Sequence, residues 1–594
     1  MWRKQIVAAA LLLALLLPAE KLNVVVILAD DLGWADLGCY GSKYYKTPYL
    51  DGLAKQGLRF THGYAACPVC SPTRAALLTG KYPARLGITD WLPGRPDRPD
   101  QLLSRPKLDN HLPDGTMTLA DHFKKAGYVT GHIGKWHLGG EGYGPMKHGF
   151  DVNIAGDHTG TPRSYFAPYR NATGFIPGLE KAPEGEYLTD RLAAEAAAFI
   201  DNNKKKPFFL YLPHHAVHTP LRAKKELIAK YPGKPINGRQ SHPVYAAMLE
   251  SLDDAVGRVL KALDDSKIAE RTIVVFTSDN GGLATLEGMP AAPTINTPLR
   301  EGKGYLYEGG IRVPLIVRWP GVIRPGTTTA VPAVSHDLMP TLLAACDLPV
   351  PEVDGVNLLP LWKEGTPPKR DGLYWHYPHY ANQGSKPGAA IRDGDYKLIE
   401  FYETGRRELF DVVKDVGETR NLATKDPDRV KTMAAKLEVW RKAVGARMPT
   451  INPDYKPNPP DAKGVIVMQA RTARVHGTML RFEPLPHKNT LGFWVDADDY
   501  ATWEFTAPKA GKYRVVVLQG CGTGQGGSTV EVSIKAEKLT FIVKDTGGFQ
   551  AFEPREIGTL TVEAGRQTLT VRPLKKAKAA VMDVREVRLV PVMD

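Results

Sequence analysis

Cysteine is scarce in this chain: five residues among 594, Cys39, Cys67, Cys70, Cys346 and Cys521. An odd count excludes a fully paired set of intrachain disulfides, so stability has to come from a buried core. Past the N-terminus no apolar run approaches the roughly 20 residues that a helical membrane span needs. Negative charge is also in deficit, leaving a formal net charge of +13. No RNA- or DNA-binding motif accompanies that charge, which argues against nucleic acid as a partner. A sulfated or carboxylated polymer suits it better, with a solvated basic surface as the plain alternative.

What is present is ordinary globular material, 43% hydrophobic and 24% charged, at a length that calls for two or three domains. Arg3 and Lys4 precede the run IVAAALLLALLLPA, which reads as a secretory signal over residues 1–19 and predicts export to a periplasmic, extracellular or equivalent compartment. A retained membrane anchor is the alternative. LNVVVILADDLG (Leu22–Gly33) and RTIVVFTSDNGG (Arg271–Gly282) are continuous β-branched runs that end in carboxylates or amides. KPFFLYLPHHAVHTP (Lys206–Pro220) is a third such run, ending in histidines, and VPLIVRWPG (Val313–Gly321) a fourth. Runs of this kind read as strands buried on both faces. Helical patterns at Leu188–Asn203 and Tyr245–Asp265 lie between them. The expectation is an α/β domain over residues 20–370, a large, mostly parallel sheet flanked by helices, with its ligand at the strand C-terminal edge.

The texture then changes. Residues 371–448 predict a small antiparallel α+β subdomain, with short strands across Ala390–Val412 and a helix over Pro427–Val444. PTINPDYKPNPPDAKG, with five prolines, predicts a stiff linker over residues 449–464. Residues 465–594 carry seven alternating segments and predict a separate β-sandwich.

Two pairs of hard oxygen donors, Asp30–Asp31 and Asp279–Asn280, end matched strands. Brought to one sheet edge they suit Ca²⁺, or less readily Mg²⁺. Each pair alone would serve equally as a turn cap. Lys135 and His137 in GHIGKWHLGG alternate and so share a face of an extended segment. His214, His215 and His218 follow the third strand, and Lys303 sits among glycines in REGKGYLYEGG. Singly these are ordinary solvated or hydrogen-bonded residues. Together with a divalent cation they suit a multiply charged oxyanion and the protonation of a leaving alcohol.

CPVCSPTRAALLTGKYPARLGI (Cys67–Ile88) places Cys70 just ahead of a short helix in which Ser71 would be the N-cap, Pro72 the first residue and Gly80 the close. Anions gather at such a terminus, and a thiol there is acidified. A Cys67–Cys70 redox pair and a structural cysteine therefore compete with a third reading. Cys70-Ser71-Pro72-Thr73-Arg74 resembles the C-x-P-x-R signature of the type I sulfatases, of the alkaline phosphatase superfamily. ADDLGWADLGCYG, GKWHLG, VHTP, SDNGG and GKGYLYEGGIRVPLIVRWPG resemble that family's other blocks in the same order.

The resemblance implies an alkaline-phosphatase-like fold and a sulfate-ester hydrolase. It implies that Cys70 is oxidised to formylglycine (3-oxoalanine) by a formylglycine-generating enzyme, and that the hydrate is the nucleophile. One hydroxyl of that gem-diol attacks sulfur; the other expels sulfate as the aldehyde re-forms. The implied Ca²⁺ ligands are Asp30, Asp31, Asp279, Asn280 and modified Cys70. Arg74 would hold the hydrate, and Lys135, His218 and Lys303 the sulfate oxygens. His218 or Lys303 would protonate the leaving alcohol, and His137 would assist release. The segment His148–Thr173 is similar to the pocket segment of the arylsulfatase A and N-acetylgalactosamine-6-sulfatase group, which offers His158 and Arg163 as sugar contacts, against a plain surface loop. The sandwich resembles carbohydrate-binding modules, with Trp494, Trp503 or Phe549 as candidate stacking rings against ordinary core packing. A phosphonate or phosphodiester hydrolase of the same superfamily, or a non-catalytic binder of sulfated glycan, would share many of these features.

Overall fold

The structure, a computed structural model, describes residues 21–592 apart from 234–239, 288, 290 and 486. Residues 1–19, expected to be a secretory signal, lie outside the described residues. Among those described, no helix is long and apolar enough to cross a membrane.

The β-branched runs form the centre of a nine-stranded sheet: β1 (Asn23–Ala29), β2 (Leu58–Tyr64), β3 (Val129–Ile133), β4 (Val152–Ile154), β5 (Phe208–Pro213), β6 (Thr272–Ser278), β7 (Arg312–Arg318), β8 (Thr327–Thr329) and β9 (Ala333–Val334). They lie in the order β8-β2-β7-β6-β1-β5-β3-β4, with β9 also on β2. Only β7 runs against the rest, pairing antiparallel with both β2 and β6. Strand pleat sends Val25 and Ile27 to one face and Val24, Val26 and Leu28 to the other. The first face is covered by helices Leu188–Asn203 and Pro243–Asp265, the second by Cys70–Thr79, Leu119–Lys125 and Leu338–Ala345. Each such fully buried aliphatic side chain stabilises the fold by roughly 1.5–3 kcal/mol. That is why β1 carries no polar residue between Asn23 and Asp30.

Register fixes the working edge. Leu28 pairs with Pro213 on one side and Thr277 on the other, and His132 pairs with Tyr211. The strands therefore end level, and Asp30–Asp31, His214–His218, Asp279–Asn280 and Lys135 all emerge at one rim.

Beyond the sheet, strands Leu373–Tyr377, Gly388–Asp393, Tyr396–Phe401 and Arg407–Asp411 form an antiparallel sheet under helix Pro427–Ala443. A buried ion cluster ties it to the main unit: Lys397 Nζ is 2.9 Å from Glu308 and 2.7 Å from Glu418, all without solvent exposure. The proline-rich segment is a strap rather than a free spacer. Thr450–Ile451 pair with Leu103–Ser104, Asn452 donates to the Arg98 and Gln101 carbonyls, and Asn458 donates to the Glu504 carbonyl at 2.7 Å.

The C-terminal strands form six- and five-stranded antiparallel sheets around one apolar core. All seven expected segments are strands. Four short ones, Ile466–Gln469, Arg474–His476, Arg481–Glu483 and Thr490–Gly492, complete the sheets and are too brief to show a period. Trp494 and Trp503 are core residues, buried with their indole N–H groups donated to the Asp499 and Gln469 carbonyls. Neither presents a face to a sugar.

Candidate active site

Asp31 follows β1 with φ 61°, a left-handed conformation that turns the chain sharply at the rim. Its backbone N–H donates to Asp279 Oδ1 at 3.2 Å, and Asn280 Nδ2 donates to Asp31 Oδ1 at 2.8 Å, so the two donor pairs interlock. Close backbone approach makes this possible: a Cβ on Gly281 would sit 1.8 Å from the Gly309 carbonyl oxygen.

Three cations thread the carboxylates. Arg74, fully buried, places Nε and Nη2 on Asp279 Oδ2 at 2.9 and 2.7 Å, with Nη2 3.7 Å from Asp30 and Nη1 on the Lys135 carbonyl. Lys135 Nζ meets Asp30 Oδ2 at 2.7 Å. Lys303 Nζ lies 2.8 Å from Asp31 and 3.1 Å from His218 Nε2. His218 Nδ1 faces the Thr219 carbonyl at 2.6 Å. An acceptor there fixes the proton on Nδ1 and leaves the Nε2 lone pair toward Lys303. His218 and Lys303 are 8% and 7% exposed while Asp30, Arg74, Lys135 and Asp279 are at zero, so the site opens on the His218–Lys303 side. His214 and His215 are buried with no hydrogen-bond partner on either ring nitrogen among the described residues, and the cluster uses His218 instead.

Cys70 lies within 4.8 Å of ligand atoms of Asp30, Asp31 and His218. Its helix begins at Cys70 itself, and Gly80 closes it at φ 69°. Ser71 does not cap it: the Ser71 hydroxyl accepts the Leu92 N–H, fixing the loop whose carbonyl in turn holds His137 Nε2 at 2.7 Å. His137 thus keeps a bare, buried Nδ1. It is held neutral, its ring pushed well below the ordinary range by burial and by Lys135. Cys67 is a free, buried thiol pushed well up by burial, which removes the thiolate a redox pair needs.

His158 is exposed, while Arg163 pairs with Asp157. Their loop does border the site: the Asp157 carbonyl accepts the His137 N–H at 2.9 Å, and Gly160 packs on the His137 ring.

The donor set fits a hard divalent cation. Among the described residues, Asp30 Oδ1 and Asn280 Oδ1 are buried oxygens with no hydrogen-bond partner. Burial, then the Asp279 charge, push the Asp30 carboxyl up to about 8. Burial works the same way on Asp31, but Lys303 and His218 outweigh it and hold that carboxyl below the usual range. Once a bound cation ionises Asp30, three carboxylates balance Arg74, Lys135 and Lys303 within the protein shell. A divalent ion would leave it net positive, the sign an anionic substrate requires.

Sequence reasoning passed over the residues that hold these loops together. Asn296 accepts the Gly282 N–H and donates to the Gly282 and Glu301 carbonyls, sewing the SDNGG loop to the loop of Lys303. The Tyr165 hydroxyl lies 2.7 and 2.8 Å from the His215 and His218 carbonyls. Neither belongs to a recognisable spacing; both act through loops distant in sequence.

The chain is similar to known proteins over its first three quarters. The family model "Sulfatase" matches residues 22–348, and "N-sulphoglucosamine sulphohydrolase, C-terminal" matches residues 302–443. The chain is 34% identical over 498 residues to a sulfatase of Formosa agariphila, covering 71% of this chain and 89% of that one. It is 36% identical over 376 residues to human N-acetylgalactosamine-6-sulfatase, covering 59% and 68%. The solved structure of Ps i-CgsB in complex with k-i-k-neocarrahexaose aligns with a TM-score of 0.60 at 33% identity, over 71% of this chain and 93% of that one.

Proposed function

This chain belongs to the sulfatase family and is a sulfuric ester hydrolase, and on that premise we propose that it is an exported enzyme acting on a sulfated carbohydrate through Ca²⁺ and a formylglycine made from Cys70. The observation that carries the reading is Cys70 at a helix start among Asp30, Asp31 and His218, within 4.8 Å of each other's ligand atoms. Asp30, Asp31, Asp279, Asn280 and the modified Cys70 would hold the ion. When bound, the ion would supply positive charge, and the formylglycine hydrate would supply one hydroxyl as nucleophile and a second whose deprotonation expels sulfate as the aldehyde re-forms.

The chain's own residues supply the rest. Arg74 keeps Asp279 and Asp30 close despite their repulsion and would hold the hydrate formed from Cys70. Lys135 and Lys303 present ammonium groups to sulfate oxygens, where charge grows in the transition state. Lys303 Nζ donates toward the His218 Nε2 lone pair at 3.1 Å on the open side, so a proton shared by this pair can pass from either Lys303 or His218 to the departing sugar oxygen. The bare Nδ1 of His137 is placed to accept a proton as sulfate leaves. A carbohydrate substrate is supported by two similar proteins, one named N-acetylgalactosamine-6-sulfatase and one solved in complex with k-i-k-neocarrahexaose. His158 and Arg163 are proposed sugar contacts on the bordering loop. Residues 20–370 and 371–448 are proposed as the catalytic unit, 465–594 as an accessory unit, and a formylglycine-generating enzyme as the maturation partner.

The test is the mass of the tryptic peptide Phe60–Arg74 from protein matured with that enzyme, paired with sulfate release from aryl sulfate, aryl phosphodiester and sulfated oligosaccharides. Aldehyde or hydrate at Cys70 with sulfate release supports the reading. An unmodified thiol, with a control sulfatase correctly matured, overturns it, and faster phosphodiester cleavage favours the phosphonate-hydrolase alternative.

A further inference from the structure

The strongest unassigned feature is a groove of about 280 Å³ beside the catalytic rim, walled by loop 95–101, loop 380–386 and the first residues of the C-terminal sandwich. Arg95, Arg98, Lys386 and Arg471 line it with one carboxylate, Asp100, while Lys386 also pairs with Glu403 at 3.2 Å just outside it. Asp100 pairs with Arg98 at 2.8 Å and stands 3.5 Å from Arg471, so one acid is shared between two guanidinium groups. Arg95 is exposed and has no ion pair or hydrogen bond among the described residues. Asn382 Oδ1 is buried there without a partner.

The groove is joined to the site. Ser385 donates to the Gly304 carbonyl, the Tyr305 hydroxyl donates to the Gln383 carbonyl at 2.7 Å, and Gln383 pairs with Glu287. Gly304 and Tyr305 directly follow Lys303 in the chain. Behind the groove, and sharing Lys386 and Arg471 with it, a cavity of about 120 Å³ adds Arg300, Arg406, Arg474 and Arg481 against Glu301, Glu403 and Glu408, of which Glu408 pairs with Arg406. Arg300 and Arg406 each leave Nε buried without a hydrogen-bond acceptor. Burial and the Arg300 charge push Arg481 down to about 10. The whole region holds more positive charge than its acids balance.

We propose that this groove is an anion subsite for a second sulfate or carboxylate on the same glycan chain, and that the C-terminal sandwich completes it through Arg471. The inference rests on the reading of the enzyme as a glycan sulfatase. It assigns the sandwich a role that needs no exposed aromatic platform: a cationic wall selecting substrates with several anionic groups over those with one. Arg471 is held in place by the strap, since Thr472 donates to Asn458 Oδ1 and Asn458 donates to the Glu504 carbonyl.

The experiment has two arms on the full-length matured protein. In the first, parent and Arg471→Glu are compared by the ratio of kcat/KM on multiply sulfated hexasaccharides (carrageenan, chondroitin sulfate and heparin fractions) to kcat/KM on 4-nitrophenyl sulfate. Loss and reversal of one charge-assisted contact should lower that ratio on the order of 10- to 100-fold. The second arm measures binding of the same hexasaccharides by calorimetry to Cys70→Ala, with and without Arg471→Glu. Weaker, less salt-dependent binding in the double variant supports the subsite even if the parent turns nothing over, a result that would overturn only the sulfatase reading. An unchanged ratio with unchanged binding, or no hexasaccharide binding by Cys70→Ala, overturns the subsite.

Discussion

Lys303→Met should separate catalysis from cation binding by moving them in opposite directions. Lys303 Nζ lies 2.8 Å from an Asp31 carboxylate oxygen and 3.1 Å from His218 Nε2, and it is almost fully buried. At that separation and an effective dielectric constant near 20, the gross attraction is about 6 kcal/mol. Lysine therefore competes with a divalent ion for Asp31. Methionine fills similar volume without the charge, so calcium should bind on the order of tenfold more tightly, only part of the gross term surviving resolvation. The same change removes an ammonium aimed at the sulfate and the neighbour of the proposed proton donor. Loss of one such donor costs about 2.7–4 kcal/mol in the transition state, or roughly 10²- to 10³-fold in kcat/KM. The assay is aryl sulfate turnover across a calcium titration after chelation, with conversion of Cys70 checked by peptide mass. Activity within about threefold of the parent would refute the catalytic assignment. Calcium affinity and activity falling together would show that Lys303 merely holds the site in shape.

Two further predictions concern stability. Lys397→Met leaves Glu308 and Glu418 buried without their shared cation, which should destabilise the main unit by about 3–5 kcal/mol; calorimetry should show its transition falling by several degrees, with partial recovery in Lys397→Met/Glu418→Gln, and a shift under about one degree would sink the idea. Asp90 accepts from the Trp91 N–H and the Tyr377 hydroxyl, and burial pushes its carboxyl up to about 7. The folded state therefore keeps a proton that the unfolded chain releases above its ordinary pKa. That contribution is complete below about pH 4 and is lost as pH rises toward 7. Asp90→Asn keeps both acceptor contacts and should gain on the parent by up to roughly 4 kcal/mol between pH 4 and pH 8. A melting-temperature difference that stays flat across that range would contradict it.

Much of the fold was legible because burial writes itself into sequence. A strand covered on both faces cannot carry polar residues, so Asn23–Ala29 and Thr272–Ser278 stand out, and their ends mark the rim. The sandwich strands were legible by alternation, and helix Leu188–Asn203 by its period. The reversed direction of β7 was not, since its composition matches that of its parallel neighbours. Ser71 read as a cap because serine favours that position, yet tertiary structure spends its hydroxyl on Leu92. The prolines of residues 449–464 suggested a stiff linker, but its backbone pairing with Leu103–Ser104 depends on a distant loop. Trp494 and Trp503 could not be assigned to surface or core from spacing alone.

The sequence by itself determined the chemistry on offer: paired acids, an arginine four residues beyond Cys70, and lysines and histidines at strand ends. Those are local choices of residue and position. Only the tertiary structure decided which of them meet. Register between parallel strands brought Asp30, Asp279, Lys135 and His218 to one level, and packing left His214 and His215 aside. The meeting of the strap, loop 95–101 and Arg471 likewise exists only once the sandwich is docked. Residue identity is fixed along the chain, whereas distance between charges is set by how layers pack, and it is distance that makes a site.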